Sequence, residues 1–379
     1  MINFLIFLFL QLLALIVFLQ SCTNTSKFAA VTKTPEQAFY ALEDFKSVKK
    51  ADTHVHLNTS DTPYISQARE DNVRLLDIVD DRPFGVPMKK QEEIAIQQIN
   101  AFPGRVVYAT TFSVDNWNKN DWQDEAIASI KNSLGNGAIA VKVWKNIGMQ
   151  LKDKNGKFVM IDNPRFDPIL NYLAENQVPL IAHLGEPREC WLPLDQMVLN
   201  KGYYSQHPEY HMYLHPEYPS YESQVKARDN MLEKHPDLRF IGAHLASLEW
   251  SLDELSKRLD RFPNMAADLA RMSDLYVHSK KDWKKTRDFF IKYQDRLLYA
   301  TDVQVAATKD PLAMKKQAHD SRIRYWTFFT TDEQMNEPEV GEFQGLKLPR
   351  EVVDKIYQLN AEKWFPAIVT GKKLTALTN

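Results

Sequence analysis

Residues 51–57 read Ala-Asp-Thr-His-Val-His-Leu. In an extended strand, residues two apart point the same way. His54 and His56 therefore project from one face, where they are able to share a metal ion, and histidine is the commonest protein ligand for transition metals. An isolated H-x-H is a weak signal. It gains weight here from what closes the later apolar runs. Pro179-Leu-Ile-Ala ends on His183, Phe240-Ile-Gly-Ala on His244, and Leu297-Leu-Tyr-Ala-Thr on Asp302, while Ala138-Ile-Ala-Val runs into Lys142.

Short apolar runs alternate with amphipathic segments from about residue 35 onward. The expected strands are 51–57, 73–79, 106–112, 138–144, 178–183, 238–244, 264–268 and 297–302. Between them lie helical patterns such as 91–102, 121–134, 166–175, 221–234 and 248–261, with a C-terminal helix over 350–364. Strands alternating with helices imply a parallel sheet. Eight of them fit an α/β fold of the closed (β/α)8 TIM-barrel type, about 250 residues before insertions. A long stretch after the fifth strand, from Leu184 to about Ser220, is rich in Pro, Tyr and His. Its length marks it as a lid-like loop. His207, His211 and His215 have helical spacing, but Pro208 and Pro216 argue against a regular helix there, and they are read as lid residues rather than a second metal site.

The 379-residue chain is 44% hydrophobic and 25% charged with a net charge of −2. That composition supports a large core and gives no electrostatic reason to expect a nucleic-acid partner. Residues 3–19 are almost wholly apolar, broken by Gln11, and lead into Leu19-Gln20-Ser21-Cys22. An apolar run followed by small residues reads as an export signal, and Leu-x-Ser-Cys resembles a bacterial lipobox. The resemblance implies a signal peptide over residues 1–21, a lipidated Cys22, a polar tether over 22–35 and an extracytoplasmic, membrane-anchored domain over 36–379. Met1-Ile2-Asn3 lacks the usual basic start, and an uncleaved membrane anchor is the competing reading. Cys190 is then the one other cysteine and is expected to be a buried small hydrophobe.

Each strand-end group has a plain structural alternative. A histidine there is more often a hydrogen-bonded rim residue, an aspartate more often a helix N-cap, and Lys142 could pair with a carboxylate. In a barrel, however, the C-terminal strand ends meet at the active-site mouth. Six groups from five strands would converge there, and burying so many polar groups costs free energy unless they are paired or bind metal.

The ordered set Asp52-Thr-His-Val-His56, Gly137-Ala-Ile-Ala-Val-Lys142, Pro179-Leu-Ile-Ala-His183-Leu-Gly-Glu186, Gly242-Ala-His244, Tyr299-Ala-Thr-Asp302 and Asn360-Ala-Glu-Lys-Trp-Phe365 resembles the amidohydrolase superfamily, in its amidohydrolase-related branch. The resemblance spans about residues 48–366. It implies a metal-dependent enzyme in which His54, His56, His183 and Asp302 bind Zn²⁺. Asp302 takes the proton of the attacking water, and His244 polarises the substrate or shuttles a proton. A second metal enters if Lys142 is carboxylated or His244 ligates; one zinc is the expectation. Glu186, Arg188, Trp144, Lys145, Trp191 and Arg271 are candidate contacts to a small-molecule substrate. The branch includes hydrolases, hydratases and non-oxidative decarboxylases. The expected reaction is hydrolysis of an amide, ester or lactone. Non-oxidative decarboxylation of a small carboxylic acid, or a surface binding lipoprotein without catalysis, are the rivals.

Overall fold

The structure, a computed structural model, describes residues 38–83 and 85–370. The expected signal segment, the lipidation site Cys22 and the tether lie outside the described residues. Among the described residues no helix is long and apolar enough to cross a membrane.

Nine parallel strands are hydrogen-bonded in the order β8-β7-β6-β5-β4-β3-β2-β1-β9. They are β1 (Lys50–Leu57), β2 (Val73–Ile78), β3 (Val106–Thr110), β4 (Ala138–Val143), β5 (Leu180–Ala182), β6 (Phe240–Gly242), β7 (Met265–Asp268), β8 (Leu297–Leu298) and β9 (Val303–Val305). β8 pairs with β7 and β9 pairs with β1. Because β8 and β9 belong to one stretch of chain, that stretch closes the sheet into a ring. The eight expected strands are thus present, with the last one split. The interruption is stitched to β1 by Thr53 N donating to Tyr299 O at 3.0 Å and Asp302 N donating to His54 O at 2.8 Å. The break coincides with Asp302, whose φ of +53° lies in the left-handed region.

Alternation along the strands explains where the polar groups go. Ile78, Ala140, Ile181, Ala266 and Leu298 belong to one buried cluster that Trp364 and Phe365 of the C-terminal segment also join. Two residues further along the chain from Ile78, Ala140, Ile181 and Ala266 stand Asp80, Lys142, His183 and Asp268. With a period of two, an apolar layer is followed by a polar one at the C-terminal ends.

Helices Met88–Ala101, Trp122–Gly135, Asp167–Glu175 and Tyr221–Lys234 fall where the periodicity put them. The expected helix 248–261 instead begins at Leu252, because the Ser251 side chain accepts the Glu254 N–H and caps it there, and because residues 244–247 are left-handed. The helix expected over 350–364 is one run with a π-type turn at Lys355–Leu359. Helices Pro63–Glu70, Met272–Lys281, Trp283–Lys292 and Pro311–Thr330, and an antiparallel hairpin of Gln334–Glu337 with Gly341–Gln344, complete the elements that matter here.

The insertion after β5 contains short turns and one helix, Lys201–Gln206, and His207, His211 and His215 flank two three-residue turns rather than sharing a helix face. Its Cys190, Met197, Tyr204 and Met212 form a small buried cluster together with Met149 from the segment after β4. Cys190 is fully buried, and its thiol donates to the Tyr204 hydroxyl at 2.7 Å.

Candidate metal centre

β1 delivers His54 and His56 to the barrel mouth, both almost fully buried. The Nδ1 of His54 lies 2.7 Å from Asp268 Oδ2, and the Nδ1 of His56 lies 2.9 Å from the Ile78 carbonyl. A carboxylate and a carbonyl only accept, so each Nδ1 carries the hydrogen and each Nε2 keeps a bare lone pair. Arg82 Nη2 also approaches His56 Nδ1 at 3.3 Å. The shorter contact to the carbonyl decides the tautomer, since that guanidinium is bound to the Asp80 carboxylate.

Both bare nitrogens stand 3.3 Å from the same oxygen, Oδ1 of Asp302. Ligands about 2.0–2.1 Å from a tetrahedral zinc are separated by about 3.3 Å, so this spacing fits a shared ion. Among the described residues, His54, His56 and Asp302 form the group whose ligand atoms all lie within 4.8 Å of one another. The chemistry of the set, two neutral imidazoles and one carboxylate, suits a divalent ion of the zinc type.

Asp302 is 33% exposed, whereas both histidines are sealed in, so its carboxylate is the part of the set that faces the mouth. Burial works against its ionisation, and positive charge on the rings of His54, His244 or His56 is what would hold the carboxyl well below the usual range. Its second oxygen, Oδ2, lies 3.7 Å from His244 Nε2. Asp302 thus turns one oxygen to the histidine pair and the other to His244. Asp52 fixes this arrangement from below: its carboxylate accepts from Thr301 N at 3.1 Å and Thr301 Oγ1 at 2.7 Å.

His244 occupies a strained loop. His244, Leu245, Ala246 and Ser247 all have φ between +53° and +58°, a conformation that costs L-residues of this kind about 1–2 kcal/mol each. Asp268 Oδ1 accepts the His244 N–H at 2.7 Å, and Arg228 and Tyr221 donate to the carbonyls of Ala246 and Ser247. Burial brings the His244 imidazole down to about 4. His183 stacks edge-on against His244, ring centroids 4.4 Å apart, and stands outside the tight three-residue group. Burial also drives its pKa well down, which leaves a neutral ring. Lys142 is 1% exposed with its Nζ 3.3 Å from His54 Nε2, and burial lowers its pKa from the ordinary value.

The six residues expected to meet substrate divide into two groups. Trp144, Lys145 and Glu186 line one cavity, with Lys145 and Glu186 ion-paired. The other three are not among the lining residues of that cavity and contact other parts of the protein. Arg188 sits over the Trp250 ring at 4.3 Å, Trp191 packs edge-on against Tyr221, and Arg271 Nε bonds Asp274 at 2.7 Å. Sequence reading did not single out Asp268, Asp80 or Asp52. Asp268 was open to the strand-end argument, since it closes Met265-Ala-Ala as His183 closes Leu-Ile-Ala.

A closed parallel barrel with histidines and carboxylates converging at its C-terminal strand ends defines a barrel enzyme with a candidate metal site. The chain belongs to the amidohydrolase family: the family model Amidohydro_2, described as Amidohydrolase, matches residues 51–367. No curated protein sequence matches. Similar solved structures include a TIM-barrel protein from Bordetella bronchiseptica, 12% identical over 85% of this chain and 99% of that one, with a TM-score of 0.49. A 2,6-dihydroxybenzoate decarboxylase from Rhizobium is 15% identical over 84% and 99%, with a TM-score of 0.47. A 4-oxalomesaconate hydratase from Rhodopseudomonas palustris is 11% identical over 85% and 97%, with a TM-score of 0.46.

Proposed function

We propose that this protein is a metal-dependent hydrolase that cleaves an amide, ester or lactone bond in a small polar molecule. The observation that carries the reading is the convergence of two tautomer-fixed imidazole nitrogens on Asp302 Oδ1 at 3.3 Å each. One zinc ion is the proposed occupant, with His183 as a further ligand. When bound, the ion supplies Lewis acidity and brings the pKa of a coordinated water towards about 7.

The protein's own groups divide the remaining work. Asp302, held ionised and reaching the mouth, accepts the proton of the attacking water on Oδ2 and returns it to the leaving group. His244, neutral and 3.7 Å from that oxygen, orients the substrate carbonyl or passes the proton on. Asp268 holds the His54 ring and the His244 backbone in place. Lys142 places its amine beside His54, with burial lowering its pKa; carboxylation of that amine would allow a second metal.

Decarboxylation, the activity in the name of the Rhizobium relative, is the second reading, and it differs from hydrolysis in taking no oxygen from water into the product. A non-catalytic binding protein would have no need of the complete donor set. Envelope anchoring through Cys22 is part of the proposal and rests on the sequence of residues 3–22. Its test is the retention of wild type, and the release of Cys22→Ser, on membrane fractionation.

The reaction is tested by supplying metal-reconstituted protein with lactones, esters, amides and hydroxybenzoates in ¹⁸O-water. Label incorporated into a product carboxylate is the expected result. CO₂ release without label would replace hydrolysis by decarboxylation.

A further inference from the structure

A cavity of about 270 Å³ lies between the insertion and the ends of β4 and β5. Its walls include Trp144, Lys145, Glu186, Tyr203, Tyr210 and Tyr218. Trp144 and Lys145 follow Lys142 by two and three residues and Glu186 follows His183 by three, so the cavity wall continues two of the strand ends that carry the candidate metal centre, and the Lys145 charge is felt at His183.

We infer that this cavity is a binding subsite for an uncharged, hydroxylated ring such as a sugar. Its place in catalysis rests on the hydrolase reading; its ligand class does not.

Three features of the wall select that ligand. The first is aromatic surface. Tyr203 and Tyr210 are nearly parallel, 9° between planes with centroids 6.4 Å apart, and Tyr218 and Trp144 face the same space. Aromatic faces receive the C–H face of a saturated ring, and Tyr presents that area at low entropy cost. The second is the floor. Lys145 and Glu186 form an ion pair with side chains 22% and 11% exposed, and the Lys145 ammonium sits 5.4 Å from the Trp144 ring centre. A self-neutralised pair offers both donors and acceptors to hydroxyl groups and no net charge to a ligand. The third is the rim. Glu209 joins the wall, loosely paired with His207 at 3.4 Å. With Lys145 as the one cation among the lining residues against Glu186 and Glu209, an anionic ring is disfavoured.

Exposure supports a working surface. Tyr203 is 48% and Tyr210 40% exposed, so this aromatic surface is open to a ligand from solvent. The glutamate of the floor is nearly buried, which makes its pairing with Lys145 strong and its geometry fixed.

The test is saturation-transfer NMR on metal-stripped full-length protein, where no turnover contributes. The probes are glucose, galactose, mannose and N-acetylglucosamine, with glucuronate, benzoate and choline as charged controls. The expected result is binding of at least one neutral sugar. That binding weakens by at least about tenfold in Tyr203→Ala/Tyr210→Ala, two exposed changes that leave the core intact, and persists in His54→Ala. The inference is overturned if no neutral sugar binds, if binding survives the tyrosine changes, or if benzoate or choline is the probe those changes release. Sugar binding, with no hydrolysis of any lactone, ester or amide by the metal-loaded protein, would remove the hydrolase reading and leave this one standing.

Discussion

Asp268 Oδ2 lies 2.7 Å from His54 Nδ1. Its other oxygen, at 2.7 Å, holds the His244 backbone N–H. One carboxylate at the end of β7 thereby sets the tautomer of a candidate metal-ligating imidazole and the position of a strained loop. Burial opposes its ionisation, but His54 and His244 outweigh that and keep its carboxyl below the usual range. Replacing Asp268 by Asn should weaken metal binding by about 10–100-fold while the chain stays folded. Metal titration followed by fluorescence, with circular dichroism as the folding control, checks it; unchanged affinity would remove Asp268 from the metal-supporting role.

Gly242 is the site of the closest backbone approach at the mouth. A Cβ there would meet Ala246 Cβ at 2.3 Å and Ala246 Cα at 2.8 Å. The left-handed turn through residues 244–247 folds directly over it, so the clash has no slack to absorb it. Gly242→Ala should cost about 1–3 kcal/mol of stability and shift His244, with turnover falling further than stability alone explains. Thermal melts and kcat measured on the same preparation test this; a Tm within error of wild type would contradict the tight turn.

Asp77 gives stability a pH dependence. It is 2% exposed, its carboxylate accepts from Leu57 N at 2.8 Å, and burial, opposed by that bond, pushes its pKa from 3.8 up to about 8. A carboxyl whose folded value is raised binds its proton more tightly in the native state. Its contribution is complete below about pH 4 and is lost as pH rises through about 8. Asp77→Asn keeps an acceptor for Leu57 N and cannot ionise. The wild type should therefore lose stability relative to the variant between those limits, measured by urea unfolding at several pH values. Parallel stability curves would contradict it.

The histidine pair was legible because a strand has a period of two and an apolar run makes an embedded polar residue conspicuous. The same rule located Lys142, His183, His244 and Asp302. It overlooked Asp268 because a lone aspartate after a strand so often caps a helix, and nothing in the local pattern says that His54, 214 residues away in sequence, will need its carboxylate. Barrel closure through a broken last strand was equally hidden. It depends on the left-handed backbone at Asp302 and on Asp52 gripping Thr301, both products of tertiary contact. Arg271 bonds Asp274 and Arg188 sits over the face of Trp250, contacts that a sequence does not reveal.

Lys142 separates one metal from two. Its Nζ is 3.3 Å from His54 Nε2 in a fully buried setting. With a single ion held by His54, His56 and Asp302, Lys142→Met should leave metal stoichiometry at about one while lowering turnover by roughly 10²–10⁴-fold if the amine assists proton transfer. A fall from two equivalents to one, with loss of a 44 Da adduct on the wild-type chain, would show a carboxylated bridging lysine instead.

The most direct test of the account is the metal content of the purified, reconstituted protein beside that of His54→Ala/His56→Ala, by plasma mass spectrometry. The account predicts about one equivalent of a divalent ion, zinc foremost, in the wild type, and its loss in the double variant with the barrel still folded. A wild type that binds no ion stoichiometrically, or a double variant that binds it undiminished, would contradict the metal centre.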